Sequence, residues 1–227
     1  MPYFNNMQNS AAQLVRKRDD PRRVATQVAL IEAAEQLFAD VGLEAVSTRQ
    51  IGAAIGSLNT NVVAYHFGSK EGLIEAVFRH RLPEIDRHRG EMLLEADNAG
   101  APLNIEALLR IFALPLYHQT DSAGRHSYAC FLLALERSGL LEVRAQVSED
   151  FPQTTQVTAR LVELMPTDTV SDGQTRLRLV TNLLASALQI IDRSLGLSPD
   201  AANALFNDAL AMSAAALEAP VSKEVLP

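Results

Sequence analysis

The sequence predicts an all-α protein, with a small N-terminal three-helix unit followed by a larger C-terminal helical bundle. Three observations carry this. Ala and Leu recur throughout the 227 residues while Gly (11) and Pro (10) are sparse, a mixture that keeps the cost of helix low and leaves strand formers scattered. Apolar residues return at three- and four-residue steps instead of alternating. The first segments with that period end at Gly42, Gly56 and Gly68, and glycine is the usual residue past a helix end.

Taken in order, residues 1–21 read as a flexible arm rich in Asn and Gln. The arm runs into Arg16-Lys17-Arg18-Asp19-Asp20-Pro21-Arg22-Arg23, which holds five bases against two acids. From Val24 the pattern is helical, with Val28, Ile31, Leu37, Phe38 and Val41 recurring at helical steps. Ser47 and Gln50 have the spacing of a capping box and open a short helix over 48–55 that carries Ile51 and Ile55. After a turn at 57–59 a second short helix spans 60–67. Val63 and Phe67 share its inward side, and Asn61, Ala64 and Tyr65 lie on another face. Ser69 caps a longer helix over 70–96 with Leu73, Ile74, Val77 and Phe78 as its apolar stripe. Pro83 predicts a kink or an early break in it.

The Gly- and Pro-containing stretch at 97–102 marks the main seam of the chain. The predicted organisation is therefore an arm (1–21), a helix-turn-helix domain (22–69), a connecting helix (70–96), a C-terminal domain (97–219) and a tail (220–227). Within the C-terminal domain the pattern predicts helices near 104–119, 127–138, 140–164, 172–195 and 199–218. Pro115 and Pro152 are expected to kink theirs, and Ser198-Pro199 is a capped helix start.

Net charge is −7, but its distribution says more than its total. Residues 1–90 carry 11 Lys/Arg against 10 Asp/Glu, and the remainder carries 9 against 17, so the acid is concentrated in the second part. A single cysteine, Cys130, excludes an intrachain disulfide, and its apolar neighbours make it a core thiol. No apolar run approaches the roughly 18 residues of a membrane span. The opening MPYFNNMQNS lacks the basic-then-apolar order of a signal peptide, and the expected location is cytoplasmic.

Two short helices joined by a tight turn and braced by a longer one form a helix-turn-helix, a unit whose second helix enters a major groove. Asn59, Thr60 and Asn61 open the second helix with groups that hydrogen-bond to base edges. Tyr65 and His66 end it with flat faces and donors for the sugar–phosphate wall. Ser47, Thr48 and Arg49 at the first short helix, Lys70 beyond the second, and Arg22 and Arg23 in the arm are the candidate phosphate contacts.

These residues carry a resemblance. Ala33-Ala34-Glu35-Gln36-Leu37-Phe38-Ala39-Asp40-Val41-Gly42, then Ser47-Thr48-Arg49-Gln50-Ile51, then Tyr65-His66-Phe67-Gly68-Ser69-Lys70-Glu71-Gly72-Leu73-Ile74 are similar, in that order and spacing, to the TetR family of bacterial transcriptional repressors. The resemblance covers residues 24–78. It departs at Ala64, where the family usually places a tyrosine, and in a turn between Gly56 and Tyr65 that is one residue longer than the commonest pattern. For the unrecognised remainder it implies a helical domain that binds a ligand and dimerises.

Enzymatic readings lack partners. His66 has no nucleophile or orienting carboxylate at motif spacing. Gly68-Ser69-Lys70 lacks the glycine-rich run and the preceding strand of a phosphate loop. His80, Glu84 and His88 fall on one helical face, but Pro83 disturbs that face and no further ligand is evident, so it reads as solvated and no metal or other cofactor is expected. Polar residues on otherwise apolar C-terminal helices are the candidate ligand contacts: Tyr117, Arg125, His126, Tyr128, Gln156, Arg160, Asn182 and Gln189. Broad apolar stripes on the last two helices, with Val180, Leu184, Ala187, Leu188, Ile191, Leu205 and Met212, predict a homodimer interface. The expected protein is a dimeric repressor that binds a near-palindromic double-stranded operator and is released by a small, mostly apolar effector. The alternatives are an activator of the same fold, or a helical small-molecule-binding protein or enzyme without DNA binding.

Overall fold

A computed structural model describes residues 20–100, 102–140, 143, 147, 150–167 and 170–221. The described elements are all helical: α1 (Pro21–Val41), α2 (Thr48–Ala54), α3 (Val62–Phe67), α4 (Lys70–Asn98), α5 (Ile105–His118), α6 (Ser127–Ser138), α7 (Pro152–Leu164), α8 (Val170–Arg193) and α9 (Pro199–Glu218). The arm before residue 20, with Arg16, Lys17 and Arg18, and the tail from 222 lie outside the described residues.

Local chemistry explains most boundaries. Asp20 caps α1 by accepting from the Arg22 amide at 3.0 Å, and Pro21 occupies the first turn, so the helix starts ahead of Val24, where the apolar period begins. The capping box of α2 is complete: the Ser47 amide donates to Gln50 Oε1 at 2.8 Å and the Gln50 amide to Ser47 Oγ at 3.3 Å. Ser198 caps α9 in the same way, accepting from the Ala201 amide at 3.2 Å.

Pro83 does not break its helix, and Pro152 is placed differently from expectation. Helix α4 runs through Pro83 to Asn98, and α5 runs through Pro115, which is buried. Pro152 does not kink a helix over 140–164 but opens α7, the position where its missing N–H costs nothing. The start of α7 is tied to α4, because the Thr154 amide donates to Asp86 at 2.6 Å and Arg89 donates to Thr154 Oγ1 at 3.0 Å.

The head (α1–α3) and the body (α5–α9) share one core with α4 between them. Phe38 of α1 lies 6.1 Å from Phe131 of α6, which is 5.3 Å from Phe78 of α4. A polar node sits beside this aromatic column. Glu35 of α1, 1% exposed, accepts two hydrogen bonds from Arg81 of α4 (2.7 and 2.9 Å) and one from Ser127 of α6. That carboxylate is the point where head, connector and body meet.

Candidate functional site

The outward surface of the head is built by what its inward surface buries. Ile51 and Gly52 of α2 and Val62 and Val63 of α3 are buried against each other and α4. Gly52 is required by the close approach, since a Cβ there would stand 2.9 Å from Val62 Cγ1. With that side committed, Asn59, Thr60, Asn61, Ala64 and Tyr65 are exposed, Tyr65 to 69%. The short helix α3 thus presents a polar and aromatic face to solvent. Arg49 on α2 and Arg22 and Arg23 at the start of α1 are exposed as well, and Thr48 is half-buried.

The sequence-predicted residues divide by what their side chains are doing. Asn59 shapes the turn: its side chain accepts from the Asn61 amide at 2.9 Å, and its own amide donates to Ser57 Oγ at 3.2 Å. Asn61 occupies the cap position of α3 without a side-chain cap hydrogen bond, which leaves its amide available. Ser47 is occupied by the capping box. Leu58, fully exposed at the tip of the turn, escaped the sequence reading, because an isolated leucine between turn residues gives no periodic signal.

Lys70 and His66 differ from expectation. The Lys70 ammonium is half-buried; it donates to the carbonyl of Leu43 and, at 2.6 Å, to that of Val46, and it lies 5.6 Å from the centre of the Phe38 ring. It ties the start of α4 to the loop before α2, with two of its donors committed to backbone carbonyls. His66 has Nδ1 buried with no hydrogen-bond partner, and its ring meets Tyr65 edge-on at 4.9 Å. Burial first, and the Arg23 charge second, hold its pKa below the ordinary histidine value. A neutral imidazole in that setting packs the end of α3 and offers no charge to a phosphate.

In the body, a cavity of about 130 Å³ lies among α4, α5, α6, α7 and α8. Phe78, Ile85, Phe112 and Leu132 make it apolar, while Thr154, Thr158 and Thr181 add hydroxyls. Of the eight residues predicted to touch a ligand, Tyr128 alone lines this cavity. The others are engaged or placed elsewhere. Tyr117 donates to Asn203 at 2.5 Å and stacks on Phe206 at 4.3 Å. Arg125 pairs with Asp121 at 3.1 Å, His126 with Asp192 at 2.7 Å, and Arg160 with Asp97 through two hydrogen bonds. Gln156 is exposed and Asn182 half-buried, both away from the cavity; Gln189 faces a different groove beside Cys130. Thr154 and Thr158 were missed because α7 was read as the end of a longer helix, and Thr181 of α8 because only packing brings it to the cavity. Among the described residues no group of three metal-ligating side chains occurs, and no helix is long and apolar enough to cross a membrane.

The predicted dimer residues also separate. Val180, Leu184, Ala187 and Leu188 are buried in their own subunit, Ile191 and Leu205 are half-buried, and Met212 is 55% exposed. The exposed arc of α8 is offset from the predicted one. It runs through Leu179 (65%), Ser186 and Ile190 (54%), with half-buried Leu183 between them, so it is apolar apart from one small hydroxyl residue.

Residues 30–77 match the family model for bacterial regulatory proteins, tetR family. No curated protein matches the chain. Among solved structures, Salmonella enterica GusR aligns at 17% identity over 89% of this chain and 100% of its own, with a TM-score of 0.50. A TetR-family transcriptional regulator from Rhodococcus sp. aligns at 15% identity over 84% of this chain and 97% of its own, TM-score 0.46. PfmR of Thermus thermophilus, also described as a TetR family transcriptional regulator, aligns at 20% identity over 83% and 96%, TM-score 0.42. The first of these likenesses is one of fold.

Proposed function

We propose that the chain, whose residues 30–77 match the tetR-family model, is a DNA-binding transcriptional regulator, and that it acts as a dimeric repressor released by a small apolar effector. The observation that carries the reading is the committed inward side and uncommitted outward side of α3: Val62 and Val63 are buried, while Asn61 and Tyr65 are exposed. Asn61, with Thr60 beside it, is suited to hydrogen-bond base edges in a major groove, and Leu58 and Ala64 to meet a thymine methyl. Arg49, Arg22 and Arg23 supply charge for the phosphate backbone on either side.

Two heads on a two-fold axis match a near-palindromic operator. The exposed arc at Leu179, Leu183, Ser186 and Ile190, together with Met212 on α9, supports pairing of two subunits through α8 and α9 into a four-helix bundle. The body cavity beside α4 suits an apolar effector with one or two hydroxyl-binding groups. A ligand there changes DNA affinity only if it favours one position of α4 over another.

The test is a mobility-shift titration against DNA upstream of the protein's own gene. Sequence-specific retardation that is lost in Asn61→Ala and Tyr65→Ala, with both variants folded, is the expected result. Retardation that ignores sequence, or that survives both substitutions, sinks the assignment of α3 as the reading element.

A further inference from the structure

A larger space than the body cavity lies where the head meets the body. It is an open groove of about 450 Å³, walled on one side by the end of α1 and residues 42–45 and on the other by α6 and α8. A recess of about 140 Å³ continues it past Asp40, Cys130, Gln189 and Arg193. The groove falls within the roughly 300–1,000 Å³ typical of small-molecule sites, whereas the body cavity at 130 Å³ falls below it.

The lining has a definite chemistry. Cys130, Leu133 and Ala134 give an apolar floor. Charges sort by wall, with Asp40 and Glu44 on the head and Arg137 and Arg193 on the body. Asp40 stands 3.6 Å from Arg125, and Asp192 in the recess is taken by His126 at 2.7 Å. Arg137 and Arg193 are exposed and make no ion pair or hydrogen bond with a described residue. Two uncommitted guanidiniums beside an apolar floor are a receptor for a planar oxyanion on an apolar stem, because a guanidinium offers paired donors to such a group. Asp40 and Glu44 across the groove balance the two arginines in number, which suits a monoanion held locally by the guanidiniums and disfavours a polyphosphate.

We propose that this groove binds a small organic monoanion, its charge held by Arg137 and Arg193 and its apolar body lying on Leu133 and Ala134. The site is distinct from the body cavity and touches the head directly. Residues 42–45 include Leu43, whose carbonyl receives Lys70, and lead into the Ser47 cap of α2. Occupancy therefore bears on the placement of α2 without passing along α4. That consequence for DNA rests on the regulator reading above, and the site itself does not.

Cys130, the sole cysteine, is buried in the groove floor and its pKa is pushed up to about 11 by burial, so occupancy is read from the probe and not from the thiol. The probe is 8-anilinonaphthalene-1-sulfonate, an aromatic monoanion, compared with N-phenyl-1-naphthylamine, which has the same rings without the charge. The readout is the dissociation constant of each probe from the full chain, taken from the rise in probe fluorescence on titration. The sulfonate should bind about tenfold more tightly than the neutral amine. The Arg137→Ala/Arg193→Ala variant, altered only at exposed side chains, should lose that tenfold advantage. The proposal is overturned if the two probes bind equally or if the variant keeps the advantage. No DNA is present in this experiment, so its outcome is separate from that of the mobility-shift titration.

Discussion

One ammonium at the start of α4 decides how the head is held. Lys70 donates to the carbonyls of Leu43 and Val46, and charge-assisted hydrogen bonds of this kind are worth about 1.5–3 kcal/mol each when neither partner is left dry and unpaired. Lys70→Met should therefore lower unfolding stability by about 2 kcal/mol, read as a shift in urea midpoint, and leave the salt dependence of DNA binding unchanged. Arg49→Ala should do the reverse, with stability held and the log–log salt slope flattened by about one. Equal salt slopes for wild type and Arg49→Ala would remove Arg49 from the backbone contacts. Two residues on from Lys70, Gly72 answers a packing demand. A Cβ there would collide with the Phe67 carbonyl oxygen, so Gly72→Ala must push α3 off its seat. A loss of about 1–3 kcal/mol is expected, with operator binding weakened further than stability explains. The stretch Ser69-Lys70-Glu71-Gly72 was legible as a helix start, because capping is local chemistry. The use of Lys70 was not, since it depends on carbonyls 24 and 27 residues away.

Between elements, the Glu35–Arg81–Ser127 node fixes α1, α4 and α6 relative to one another. Its carboxylate is almost fully buried, so removing the cation strands a charge, and Arg81→Ala should cost about 3–5 kcal/mol in a denaturant titration. A loss under about 1 kcal/mol would mean that water reaches Glu35. His80, on the neighbouring face of α4, sets a pH limit. Burial first, then the Arg81 charge, keep its imidazole below the ordinary value of 6.5, with Glu32 at 3.9 Å opposing weakly. The unfolded chain then binds the proton more readily than the folded one. Stability from this group is complete above about pH 6.5 and is lost as pH falls through the folded value. His80→Gln should flatten the decline in melting temperature between about pH 7 and 5. An unchanged decline would assign it to other groups. The helix boundaries themselves were readable at the caps of Ser47, Ser69 and Ser198, whereas the Asp20 cap was missed because the apolar period begins only at Val24. Pro152 was misread because proline within an apolar period and proline at a first turn look alike in one dimension.

For the whole molecule, the open choice in the sequence was which arc of α8 belongs to the subunit's own core. That helix carries apolar residues round much of its circumference, and periodicity alone does not say which of them a neighbouring helix of the same chain already covers. The structure turns Val180, Leu184 and Leu188 inward and leaves Leu179 and Ile190 outside, an arc rotated away from the predicted stripe. The body cavity was hidden for the same reason, since its walls come from five helices that only packing brings together. Offset arcs give paired substitutions opposite outcomes. Ile190→Glu places a charge on an exposed arc. If two subunits pair there, sedimentation should show a monomer with melting behaviour close to that of the isolated fold, and operator affinity should fall with the loss of the second head. Leu188→Glu places the same charge at a fully buried site, and the subunit itself should fail, because an unpaired carboxylate in that core has no partner. A dimer that persists in Ile190→Glu would move the interface away from the outer arc of α8 while leaving the reading of α3 intact.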